Sequence, residues 1–259
     1  MTRSDNINWH RRVWRLAGPI MLSNITVPLL GIVDTAVVGH LEHAYYLGAV
    51  AVGALIFDFL FWGFGFLRMA TTGFTAQAHG AGDHAEMAAM LWRGLIAAAI
   101  IGAALLVLQT PLISAAMALM NASYAVSEHT RGYYGIRIWS APAALANYVI
   151  LGWYLGLQNA RAGLIIQVAI NAINIVLDLV FVVGLTMAVE GVALATVIAE
   201  YAGLIIGAAM VWRTLSRLGG RTGWSRILDP ARFRHMVAIN RDIFLRTLCL
   251  IAAFAYLTA

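Results

Sequence analysis

Apolar residues run almost unbroken through six stretches of this chain, 16–41, 47–67, 94–119, 132–157, 162–187 and 191–212, and a seventh begins at 243–259. Each of the first six reaches the roughly 20 residues that a helix needs to cross a bilayer. They are too long and too continuous for the alternating strands of a membrane barrel. The pattern predicts an all-α fold, a polytopic transmembrane helix bundle with six complete helices and a truncated seventh. It divides the chain into an N-terminal arm at 1–15, a six-helix transmembrane unit at 16–212, a connector at 213–241 and the start of a further helix at 242–259. The connector is expected to carry an amphipathic piece around 230–239.

Composition agrees, with 61% hydrophobic and 11% charged residues and a mean hydropathy of +0.80. Soluble domains carry about a quarter charged residues, so that class is excluded. The arginines at the N-terminus precede an apolar run that lacks a small-residue cleavage site, and this reads as a retained first helix. The lone Cys249 offers neither an intramolecular disulfide nor a metal cluster. Net charge of +5 invites a nucleic-acid partner, but the positions of the arginines argue against one. Arg3, Arg11, Arg12 and Arg15 precede the first stretch, Arg93 and Arg161 lie in connections on the same side, and a run from Arg213 to Arg241 follows the sixth. The opposite connections hold Glu42, Glu190 and Arg131. The positive-inside rule then places the N-terminus in the cytoplasm of a multi-pass protein, by expectation in a bacterial inner membrane.

Against this background a few polar residues stand out. Asp34 and Asp178 each lie alone in a spanning stretch, where an ionised side chain costs about 2.5–3.5 kcal/mol even on lenient scales. At about 1.5 Å of rise per residue, Asp34 falls about 27 Å and Asp178 about 24 Å from the cytoplasmic ends of their helices. Thr196 falls about 8 Å below the outer surface, so three helices place polar side chains in one outer layer. Gln167, Asn171, Asn174 and Asp178 fall within an arc of about 60° on one helix, a stripe that must face the bundle interior or a watery cavity. Helix-to-helix hydrogen bonding explains the amides equally well. Asp58 and Glu200 sit near the midplane as candidate cavity-lining acids, and Arg68 near the inner end can snorkel. Arg137 and Arg246 are candidate counter-ions whose partners the sequence does not name.

Pro28 removes a backbone hydrogen bond shortly before Asp34 and is a hinge candidate, or a fixed kink. The pairs Gly152/Gly156 and Gly203/Gly207 have the spacing of close helix packing. His40, Glu42 and His43 read as a solvated outer loop rather than a metal corner. No HExxH or GxSxG motif is present, and an enzyme is not expected; an aspartate dyad of an intramembrane protease is the rival from that class.

The stretch PLLGIVDTAVVGHL at 28–41, LGAVAVG at 47–53, GFLRMATTGFTAQA at 65–78, NAINIVLD at 171–178 and GVALAT at 191–196 together resemble the DinF branch of the MATE family of multidrug and toxic-compound extrusion proteins. That resemblance implies two six-helix lobes around a central cavity, so the present chain corresponds to one lobe and the start of helix 7, with the C-terminal lobe missing. It implies a secondary antiporter exporting an organic cation or amphiphile in exchange for H+ or Na+. By the same resemblance Asp34, Asn174, Asp178 and Thr196 couple the cation and Tyr133 is a further cavity residue. No cofactor or resident metal is implied, beyond a transient Na+ at Asp34/Asp178. A flippase for lipid-linked precursors and a truncated, non-transporting half are the alternatives. Two acids placed together in a medium of low dielectric repel, and a bound proton relieves them, a change that could bend the first helix at Pro28.

Overall fold

The computed structural model describes residues 9–39, 43–120, 123–219 and 222–258. The first apolar stretch is α1 (Trp9–Val38), which continues as one helix through position 28. The second is α2 (Ala44–Gly63) followed by α3 (Phe66–Gly80), and the third is α4 (His84–Val107) followed by α5 (Gln109–Met120). The fourth is α6 (Tyr124–Arg137), a 3₁₀ turn (Ile138–Ser140) and α7 (Ala141–Gly156). The fifth is α8 (Ala160–Asp178), which widens into a π-helical segment (Leu179–Gly184), and the sixth is α9 (Val189–Leu218). A short α10 (Trp224–Ile227) leads to α11 (Pro230–Thr258), where positions 230–239 are the opening turns of a helix that runs on to Thr258. No strand occurs among the described residues, and Tyr45–Gly80, His84–Val107, Ala160–Gly184 and Val189–Leu218 are long and apolar enough to cross a membrane.

Two expected boundaries are corrected. The second span does not stop at residue 67 but continues through α3 to Gly80, after a break at Phe64 and Gly65. Thr71, Thr72 and Thr75 interrupt the hydropathy of α3, yet Thr71 and Thr75 are buried and Thr72 donates to the carbonyls of Arg68 (2.8 Å) and Gly152 (3.1 Å). Helix bonding and a neighbouring backbone thus satisfy the Thr72 hydroxyl where hydrocarbon could not, while the Thr75 hydroxyl is buried without a partner. The third span begins at His84, ten residues before the apolar pattern, because Arg93, expected in a connection, lies inside α4 and is 1% exposed.

Local chemistry marks the ends. Asp83 caps α4 by accepting from the Glu86 amide at 3.0 Å, and Asn159 caps α8 by accepting from Ala162 at 3.3 Å. Pro142 sits in the first turn of α7, where its missing N–H is harmless. Gly219 closes α9 in the left-handed conformation.

The lobe is built around α7, which packs on α3, α4, α8 and α9, while α1 lies along α8 and α2 along α6. Trp153 is fully buried and donates its indole N–H to the Met87 carbonyl at 2.8 Å. The glycine pairs perform the expected packing: a Cβ at Gly152 would lie 2.5 Å from the Arg68 carbonyl oxygen, and one at Gly156 would lie 2.8 Å from that of Thr72. Large apolar side chains such as Ile100, Val107, Ile205 and Trp212 point outward, as lipid contact requires.

Candidate functional site

Asp178 is the last residue of α8 before the backbone widens into the π-helical segment, and its side chain is completely buried. Such wide turns frequently mark functional sites, since they displace a side chain from the regular helical path. Asp34 approaches from α1, and the two carboxyls lie against each other. Asp34 Oδ1 and both Asp178 oxygens are buried with no donor from another protein group. Their mutual contact becomes a hydrogen bond only when one of them carries a proton. Asn174, one turn before Asp178, is 2% exposed and its Nδ2 has no acceptor. Asn171 turns to α1 instead, donating to Thr26 Oγ1 at 2.8 Å and accepting from Gln167 Nε2 at 3.1 Å. The polar stripe therefore divides: its N-terminal half ties two helices together, and Asp178 at its C-terminal end meets the second aspartate.

Arg137 faces the same pair. It ends α6 at the 3₁₀ turn and donates to the Tyr133 hydroxyl, with its guanidinium carbon 4.8 Å from the Phe57 ring centroid and 5.4 Å from that of Tyr133. Tyr133 is itself buried. The sequence marks Arg137 as a counter-ion but does not place it, because its surroundings come from separate helices: Asp34 on α1, Phe57 on α2 and Asp178 on α8.

The other expected residues separate. Thr196 is half-buried and donates to its own helix at the Val192 carbonyl (3.0 Å). Glu200 accepts from Asn147 Nδ2 at 2.8 Å. Asp58 is exposed, as is Arg68, whose guanidinium carbon lies 6.0 Å from the Tyr148 ring centroid. Arg246 is exposed on α11. Pro28 lies in a continuous helix, and nothing is described of its side chain. His40 and Glu42 lie outside the described residues, while His43 stacks on Tyr45 at 4.9 Å. No group of metal-ligating side chains occurs among the described residues.

The family model MatE matches residues 19–180, more than half of the chain and the part that carries both aspartates. The chain belongs to the MatE family. It is 51% identical to DNA damage-inducible protein F of Escherichia coli (strain K12), over 100% of this chain and 55% of that protein. It is 31% identical to a probable multidrug resistance protein NorM of Caulobacter vibrioides, over 73% of this chain and 41% of that one. The chain spans about half the length of the curated relatives it matches. Among solved structures, a MATE in the bent conformation overlays 96% of this chain and 55% of its own with a TM-score of 0.81 at 22% identity. A eukaryotic MATE transporter overlays 92% of this chain with a TM-score of 0.78 at 17% identity. At that identity the overlays establish the fold alone.

This MatE lobe carries a second charged cluster at the other end, where α10 meets α4. The buried Arg93 donates to Glu86 Oε1 (2.7 Å), to the Ile227 carbonyl (2.9 Å) and to the Arg226 carbonyl (2.6 Å). Arg226 pairs with Asp83 and with Glu86 (3.1 Å), and Arg232 pairs with Glu86. The Glu86 amide, and then the Arg226 and Arg232 guanidiniums, hold the Asp83 carboxyl below the usual carboxylate range despite a smaller opposing effect of burial. The network latches the connector to the lobe. It was not legible beforehand because Arg93 was assigned to a loop.

Proposed function

We propose that this chain is the N-terminal lobe of a secondary efflux antiporter, in which Asp34 and Asp178 bind the coupling cation, H+ or Na+, with Asn174 beside them. The observation that carries this reading is a pair of membrane-embedded carboxyls facing one another, with both oxygens of Asp178 and Oδ1 of Asp34 buried without a protein donor. A buried acid left without a donor is costly, and a proton or a small cation is what the arrangement lacks. Tyr133 closes one wall, while Thr196 on α9 donates within its own helix. The substrate class is an organic cation or amphiphile, in keeping with the multidrug-resistance names of several relatives. The N-terminus and the connector lie in the cytoplasm of a bacterial inner membrane, as the arginine distribution requires, and a second lobe supplies the other wall of the cavity.

Binding of the cation cancels charge between α1 and α8, and the loss of repulsion changes how closely these helices approach. Relatives have been solved both straight and bent. Asp34→Asn and Asp178→Asn, made in the longest polypeptide that carries this chain, keep the side-chain shape and remove the titration. Each is expected to lower drug efflux at least tenfold in a pump-deficient host while membrane insertion stays unchanged. Full resistance in both variants would show that the carboxyls are structural.

A further inference from the structure

Where α3 begins, a groove of about 380 Å³ opens between the α2–α3 break, α4 and α11, a volume typical of small-molecule sites. Phe64, Phe66 and Phe244 pack into one wall, with ring centroids 5.9, 6.0 and 6.5 Å apart, and Ile100 and Ile101 of α4 extend it. The lining is apolar except at Asn240 and Arg241, and no described residue of α1 or α8 takes part, so the groove is separate from the aspartate pair. Three elements set it at one depth. The continuous apolar runs end at 67 in the second span and begin at 94 in the third and at 243 in the last, all on the arginine-rich side. Phe64, Phe66, Ile100, Ile101 and Phe244 therefore lie just inside the hydrocarbon edge. Asn240 and Arg241 lie just beyond it, at the level where lipid tails join their heads. Asn240 is only 9% exposed, and its buried Oδ1 accepts from no protein group. An amide oxygen hidden from water without a donor is costly. Arg241 gives Nε and Nη2 to Asp242 Oδ1, at 3.2 and 3.1 Å, which leaves other donors of its guanidinium for a second anion.

We propose that this groove seats a single-chain glycerophospholipid drawn from the adjacent leaflet. Its tail lies among the three phenylalanines and Ile101, its free glycerol hydroxyl donates to Asn240 Oδ1, and its phosphate meets Arg241. The chemistry selects this class over the two-chain lipids of the bilayer. In a two-chain lipid both glycerol hydroxyls at this level are esterified, and an ester oxygen only accepts, so Asn240 would keep its unpaired oxygen. A single-chain lipid keeps one hydroxyl at the depth of Asn240, with a phosphate anion beside it, and these are the two groups that an amide oxygen and a guanidinium complement. One apolar groove also takes one tail.

The test needs no transport. The longest polypeptide that carries this chain, in a non-ionic detergent, is mixed with lysophosphatidic acid and followed by native mass spectrometry, with phosphatidic acid and a monoacylglycerol as comparison ligands. One lysophosphatidic acid per protein is expected to be retained, about tenfold more tightly than phosphatidic acid, the size of one buried hydrogen bond. Asn240→Leu keeps the volume of the side chain and is expected to abolish that preference. Arg241→Gln, at an exposed position, is expected to weaken lysophosphatidic acid about tenfold and to leave the monoacylglycerol, which has no phosphate, unchanged. Ile101→Trp narrows the groove and is expected to weaken both single-chain ligands. Equal retention of one-chain and two-chain lipids by the unaltered protein overturns the proposal. So does unchanged lysophosphatidic acid binding in both Asn240→Leu and Arg241→Gln, and so does no retention at all, the outcome expected if a second lobe fills the groove.

Discussion

Gly152 lets α7 and α3 meet backbone to backbone. Its missing Cβ would stand 2.5 Å from the carbonyl oxygen and 3.1 Å from the Cα of Arg68, atoms that cannot rotate away. Gly152→Val is therefore expected to destabilise the lobe by about 1–3 kcal/mol or more, the range of overpacked cores, read as a lower unfolding midpoint in detergent. Gly73→Ala, at a position with nothing within 4 Å, serves as the control and should be neutral or mildly stabilising. At this scale much was legible from sequence. Asp34 and Asp178 declare themselves because an acid in hydrocarbon needs a reason, and the four-residue glycine spacing because only small residues permit such contact. The place of Arg137 beside the Phe57 ring was not legible, since it depends on α2 and α6 meeting, and Arg93 reads as a loop residue because a charge at the end of an apolar run looks like one.

Among elements, the connector latch is the most exposed to solution conditions. Asp83 is held below its ordinary value of about 3.9, so its contribution to the folded state is complete above that value and is lost as pH falls through the depressed one. The latch should accordingly stay closed through neutral and mildly acid solution and open only under strong acid. A nitroxide on Ser225→Cys, in a Cys249→Ser background, should show constant mobility from pH 7 to about 3.9 and a rise only below it. Release near pH 6 would show that the Asp83 carboxyl does not control the latch. Arg226→Ala should mobilise the label at every pH. Spans and their order could be read from hydropathy; their interruptions could not. The π-helical segment after Asp178, which packs against α1 and α9, has no turn residue before Gly184 to announce it.

For the whole molecule, the chain forms one lobe of the fold and covers about half of its relatives. Arg68 and Asp58 are exposed on the apolar span Tyr45–Gly80, and in the two-lobe reading proposed above they face a partner lobe, which suits charged groups better than lipid. The 259-residue chain alone is expected to insert into liposomes and to show no gradient-driven uptake of a cationic dye. Robust uptake under a proton or sodium gradient would mean that two copies build the cavity between them.

The bond from Asn171 to Thr26 has a mechanical meaning. It pins α1 to α8 about 12 Å along the helix from Asp34, and on the other side of the pin lie Pro19, Ile20 and Ser23, which line a groove of about 100 Å³ with Arg68 and Gln167. If α1 moves as one rod, the pin is a fulcrum: a push at Asp34 sends the residues over the groove the opposite way, so one arm opens as the other shuts. If α1 yields at Pro28, on the Asp34 side of the fulcrum, only the outer arm swings and the groove stays still. The stiffness of the roughly two turns between Thr26 and Asp34 thus decides whether a cation arriving in the outer layer is felt at the inner face at all.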